Sequence, residues 1–124
     1  MRILVDSDVL IEVARMRDPA IAARWVALTE STTGILVTPV SIAELWAGVR
    51  PSEHEALAQL LGSLRCVALD EEVGRKAGDY LRAFQKSHSL DIGDALIAAS
   101  AFVNKAALWT RNRKHYPMKE LSFY

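Results

Sequence analysis

Four short apolar runs, separated by stretches of helical periodicity, restrict this chain to one class of fold. Residues 3–5, 35–38, 66–69 and 107–110 read as buried strands, being too short and too uniformly apolar for amphipathic helices. Between them the pattern turns helical over residues 9–15, 20–30, 41–49, 53–61, 71–87 and 92–103, and Ile21, Trp25 and Leu28 fall on one face of the second stretch. Asp18-Pro19, the Ser31–Gly34 turn cluster and Pro51 mark breaks, and residues 121–123 offer a short edge strand. Strands that alternate with helices require crossovers, so the expected architecture is an α/β/α sandwich around a mainly parallel sheet. At 124 residues the chain is expected to form a single domain, residues 1–124, with no repeat or linker.

Local signals place the helix starts. Asp6 or Ser7 is expected to cap the first helix, Ser52 the fourth with Glu55 in a capping box, and Asp70 the fifth. Ser41-Ile-Ala-Glu44 also meets the capping-box pattern, which gives Glu44 a structural reading. Asp91 reads as the cap of the alanine-rich helix, with Asp94 on its first turn.

Chemistry enters through the position of the acids. Asp6 ends the first strand, Glu44 follows the second strand and its turn, and Asp94 opens a late helix. In open α/β folds ligands collect at the carboxyl ends of the strands, so these side chains are expected to converge on a hard divalent cation. Asp6 with Asp8 exceeds what one cap requires. Thr110 and Asn112 bring polar groups to the same edge, and Arg111, Arg113 and Lys114 are candidate phosphate contacts, a solvated basic loop being the equal alternative.

Composition narrows the rest. The net charge is zero, yet residues 104–124 hold five basic residues against one acid, Glu120. Cys66 is alone, so no internal disulfide forms, and it reads as a small apolar residue. His54, His88 and His115 show no zinc-ligand spacing. Asp6 and Asp8 interrupt the first apolar run, which excludes a signal peptide, and no run is long enough to span a bilayer; a soluble cytoplasmic protein is expected. Trp25, Trp46, Leu45 and Val49 are candidates to border a groove for a partner segment, both tryptophans reading equally well as core.

The stretches ILVDSDVLIE, VSIAELWAGV, LDIGDALIAASA and ALWTRNRKHYP, in this order and spacing, resemble the PIN-domain family, and most closely the VapC-type ribonuclease toxins of toxin–antitoxin pairs. The resemblance covers essentially the whole chain. It implies a Mg2+- or Mn2+-dependent endoribonuclease in which Asp6, Glu44 and Asp94 match the acidic metal and catalytic positions. It implies products with 5′-phosphate and 3′-hydroxyl ends, a small cognate antitoxin whose tail crosses the cleft, and a homodimer. Many members carry a fourth acid where this chain has Asn112, which implies weaker hold on a second metal; Asn112 orienting a bound water, or Asp8 or Asp91 compensating, are the alternatives.

Two other families share parts of the pattern. ILVDSDVL also resembles the opening signature of haloacid-dehalogenase phosphatases, with Asp6 as nucleophile and Asp8 as acid/base, but the late acidic pair opens a helix instead of following a strand. A receiver-type signalling domain fits the length, but it needs a lysine at the end of a late strand, where Arg111 follows Thr110.

Overall fold

The computed structural model describes residues 1–124. Strands β1 (Arg2–Val5), β2 (Gly34–Val37), β3 (Arg65–Cys66) and β4 (Ala107–Trp109) form one sheet in the order β3-β2-β1-β4, every pairing parallel. Six helices cross over it: α1 (Ser7–Arg15), α2 (Pro19–Thr29), α3 (Pro39–Gly48), α4 (His54–Gly62), α5 (Glu71–His88) and α6 (Ile92–Val103). Short 3-10 turns lie at Pro51–Glu53 and Arg113–His115.

Strand alternation divides the interior in two. Successive side chains leave a strand on opposite faces, so Ile3 and Val5 point one way and Leu4 the other, all three essentially inaccessible. Ile3, Val5, Val37 and Trp109 pack with Val9, Leu10, Ile21, Leu28, Leu45 and Leu57 from α1 to α4. Leu4, Leu36 and Leu108 pack instead with residues of α5 and α6, among them Val73, Ala77, Tyr80, Ala95 and Ala98. Both sheet faces are therefore covered, as the unbroken apolar runs require. The expected α/β/α sandwich with a parallel sheet is what the chain forms.

Several local expectations are corrected. Thr38, not Ser41, caps α3: its Oγ1 accepts from Ser41 N at 3.1 Å, and Pro39 occupies the first helical position. Ser41 is buried, so the Ser41–Glu44 box does not form and Glu44 is released from a capping role. Ser52 does not cap α4. Pro51 starts a 3-10 turn there, and the Glu53 carboxylate accepts from Arg50 N at 3.1 Å. β3 is shorter than residues 66–69, since after Val67 N donates to Val37 O the chain leaves the sheet. The edge strand at residues 121–123 reduces to a single bridge between Leu108 and Phe123. Asp6, Asp70 and Asp91 cap α1, α5 and α6 as expected.

The alanines of α6 allow it to lie close against α5 and the sheet, and Ala95, Ala98, Ala99 and Ala101 are wholly inaccessible. A larger side chain there has no void to enter. Ala98→Leu should destabilise the protein by about 1–3 kcal/mol, read as a lower urea midpoint at unchanged slope; an unchanged midpoint would show that the α5–α6 contact is not tightly packed.

Candidate active site at the carboxyl edge of the sheet

Asp6 stands where β1 becomes α1. Its backbone N–H donates to Trp109 O at 2.9 Å, extending the β1–β4 ladder by one bond. Its side chain is 7% exposed, and a carboxylate so placed needs donors. Three are present. Ser7 N donates to Oδ1 at 2.8 Å, while Thr110 Oγ1 and Tyr116 Oη both donate to Oδ2 at 2.9 Å. The Tyr116 hydroxyl also lies 3.5 Å from Asp94 Oδ1, so one phenol stands between the first-strand acid and the acid of α6. Its single proton serves the shorter contact. Burial, then the charges of Asp6 and Asp94, push the phenol well above its ordinary range, so it remains a donor.

The other acids close around this pair. Glu44 on α3 accepts from Ser7 Oγ at 3.2 Å, which ties it to the start of α1. Asp91 uses Oδ1 to accept from Asp94 N at 2.8 Å as the cap of α6. Asp8 accepts from Arg111 N at 3.1 Å through Oδ2, with Thr110 Oγ1 3.3 Å away. Burial raises Asp94 to about 6, Asp91 adding to the shift and His115 opposing it. Glu44 and Asp8 are raised first by burial; Ser7 then lowers Glu44, while the charge of Asp6 raises both.

The basic segment is largely committed to the fold. Arg111 pairs with the buried Glu12 at 3.3 Å, and Arg17 meets the same carboxylate at 2.6 Å. Arg113 donates to Tyr124 O at 3.2 Å and covers the Phe123 ring at 5.1 Å. Of the three expected phosphate contacts, only Lys114 is exposed without an intramolecular partner. Asn112 turns its amide to His115 Nε2 at 3.0 Å, and His115 Nδ1 lies 3.7 Å from Asp94 Oδ2. His115, which has no partner histidine in the sequence, is thus brought to the rim of the cleft.

As they stand, no group of three of these side chains is placed to hold a metal ion. The donor set still suits one kind of ion. Every candidate ligand is a hard oxygen, and the acids raise one another's pKa, opposed by His115 at Asp94 and by Arg111 at Asp8. Magnesium-like ions take one or two carboxylates and keep several waters, whereas a closed cage is the habit of other metals. Asp6, Glu44 and Asp94 are the residues that would hold such an ion. A cavity of about 290 Å³ continues from the acids between α1 and α3, lined by Ser7, Asp8, Ile11, Arg15, Glu44, Leu45 and Gly48.

Residues 3–121 match the PIN domain family. The chain belongs to the PIN-domain family. It is 40% identical over 119 residues to Ribonuclease VapC10 of Mycobacterium tuberculosis, covering 95% of this chain and 88% of that protein. It is 34% identical to Ribonuclease VapC19 of the same organism, covering 93% and 92%. The toxin–antitoxin structure VapBC2 from Rickettsia felis, bound to promoter DNA, superposes with a TM-score of 0.83 at 20% identity, covering all of this chain and 98% of that one.

Membership of the PIN family removes the two competing readings. Asp8, the acid/base of the phosphatase reading, accepts from the backbone of the β4 turn, and the late acids Asp91 and Asp94 open α6 instead of following a strand. The receiver reading has no lysine at the end of β4, where Thr110 holds Asp6 instead. Thr110 was visible as a polar residue at the edge. Tyr116 was not, because one aromatic inside a basic turn carries no signal of what its hydroxyl reaches.

The acids tie stability to pH. Asp94 titrates near 3.8 when unfolded and about 6 when folded, so stability present at low pH is lost as pH rises through the folded value. In the metal-free protein, Asp94→Asn should therefore be more stable than wild type at pH 7.5 by on the order of 1–3 kcal/mol. That advantage should shrink by about 1 kcal/mol at pH 5. Paired urea titrations at the two pH values measure it; a difference independent of pH would mean that Asp94 is not held in the raised state.

Proposed function

We propose that this chain is a metal-dependent endoribonuclease, the toxin of a toxin–antitoxin pair, working as one nuclease domain over residues 1–124 with Mg2+ as its cation and Mn2+ as a substitute. The observation that carries the reading is the convergence of Asp6 and Asp94, from opposite ends of the chain's topology, on one buried hydroxyl at the carboxyl edge of the sheet. Close relatives named as ribonucleases support it.

The roles follow from the chemistry of each position. Asp6, Glu44 and Asp94 would hold the cation. When bound, the cation polarises the scissile phosphate and lowers the pKa of a coordinated water, supplying a nucleophile near neutral pH. Thr110, Tyr116 and Ser7 fix the Asp6 carboxylate so that it does not reorient as charge develops at the cleft. Lys114 contacts the RNA backbone, and Arg111, anchored on Glu12, gives the cleft mouth a fixed positive charge. Asn112 and Asp91 act in support, the amide through His115 and the carboxylate through the α6 cap. Hydrolysis leaves 5′-phosphate and 3′-hydroxyl ends.

The partner is a small antitoxin. The cavity between α1 and α3 joins apolar Ile11 and Leu45 to the acids, which suits a segment that is apolar with a basic end. This revises the groove expected from sequence. Trp25 packs on Trp109 at 6.3 Å and serves the core, while Leu45, though buried, still lines this cavity. Val49 also packs against that core, half-buried. Trp46 alone stays 47% exposed, stacked on His54 at 4.9 Å. No helix is long and apolar enough to cross a membrane. We place the protein in the cytoplasm, as a homodimer.

Purified protein should cleave RNA with Mg2+ or Mn2+, and EDTA should abolish cleavage. Asp6→Asn and Asp94→Asn should each lower the rate at least about 100-fold while circular dichroism stays native. Cleavage that continues in EDTA, or in both variants, would refute the assignment. Expression alone should arrest growth, and co-expression with the adjacent small gene should relieve the arrest and yield a co-purifying complex; a harmless chain that captures nothing would leave a nuclease but no toxin.

A further inference from the structure

We propose that Tyr116 is a positioning residue that sets which divalent cation the cleft accepts, by leaving Asp6 only one oxygen with which to bind it. The inference rests on the metal-dependent reading above and deepens it.

A carboxylate offers roughly four lone-pair sites, two on each oxygen. In Asp6 three are taken. Thr110 Oγ1 and Tyr116 Oη both donate to Oδ2 at 2.9 Å, and Ser7 N donates to Oδ1 at 2.8 Å. One site on Oδ1 remains. Both hydroxyls belong to buried residues, and for each the contact to Asp6 is the shorter of its two carboxylate contacts. Tyr116 is 4% exposed with its ring in the core beneath α6, and Thr110 is 7% exposed at the end of β4. Asp94 is constrained in the same direction, with Oδ1 facing the Tyr116 hydroxyl and Oδ2 facing His115.

A carboxylate held this way binds a cation through one oxygen. Mg2+ and Mn2+ accept this, because a small octahedral ion fills its remaining positions with water. Ca2+ takes six to eight oxygens and gains from carboxylates that bind through both. The two hydroxyls therefore act against calcium by occupying the oxygen it would use. Tyr116 is the more telling of the two, since it also stands against Asp94.

Isothermal titration of Mn2+ and of Ca2+ into the metal-free full chain tests this. Wild type should bind Mn2+ more tightly than Ca2+. Tyr116→Phe, which keeps the ring and removes the donor, should narrow the Mn2+/Ca2+ affinity ratio by about tenfold. Thr110→Val should move it the same way. Tyr80→Phe is the control: it loses a comparable tyrosine–carboxylate bond, to Glu120 at 2.6 Å outside the cleft, and should leave the ratio unchanged. A Tyr116→Phe ratio within about twofold of wild type, or equal loss of both ions, would overturn the proposal while the metal reading stands. Wild type that binds neither ion would overturn the metal reading itself.

Discussion

The Asp6 carboxylate organises more of this molecule than any other group. Its residue ends the central strand, caps the first helix and extends the ladder to β4 through its own N–H. An ion this buried is tolerated only when charge-assisted hydrogen bonds replace its water, each contributing about 1.5–3 kcal/mol. Ser7, Thr110 and Tyr116 supply them. Those three donors come from α1, from the end of β4 and from the turn beyond it. Satisfying one carboxylate therefore sets the register of segments more than a hundred residues apart in sequence.

The same cleft is electrostatically strained. Asp94, Glu44 and Asp8 all titrate above their ordinary range, and burial is the leading cause for each. The nearby arginines are assigned elsewhere: Arg15 to Glu53 at 3.0 Å, and Arg17 and Arg111 to Glu12. An acidic cleft whose neighbouring arginines are held by other acids stays open to a positive charge from outside. A divalent ion is one group whose charge would answer that need.

How much of this was legible in the sequence depended on whether the signal was local. The strand cores were, because runs such as Ile3–Val5 must be buried on both faces. The caps at Asp70 and Asp91 were, because an acid before an apolar-periodic stretch has one obvious use. The start of α3 was misread because two local rules compete there. Ser41 and Glu44 match a capping box, but Thr38-Pro39 sets the start three residues earlier, since proline's fixed φ suits the first helical position. That error concealed the best evidence for Glu44, whose carboxylate is free to face Ser7. The commitment of Arg111 and Arg113, and the position of Tyr116, were beyond local rules. Each depends on a contact outside its own turn: Arg111 on Glu12 and Tyr116 on Asp6, both far away in sequence, and Arg113 on Tyr124 at the end of the same segment.

The charge arithmetic of the C-terminal segment then takes on a different meaning. Five basic residues against one acid suggested a surface made for phosphate. In the folded chain Arg113 covers Phe123 and holds the Tyr124 carbonyl, while Arg24 lies 4.7 Å from the Trp109 ring and 4.5 Å from that of Tyr124. These contacts fasten the last residues along the outer edge of β4, where Tyr124 N donates to Leu108 O at 2.9 Å. An exposed strand edge is a liability, and covering it protects the strand that carries Thr110. Two of the five basic residues, Arg111 and Arg113, are thus structural and help keep β4 and its turn in place behind the acids. Lys105, Lys114 and Lys119 remain exposed, so the charge of this segment still open to a polyanion rests on its lysines, while its two arginines serve the fold.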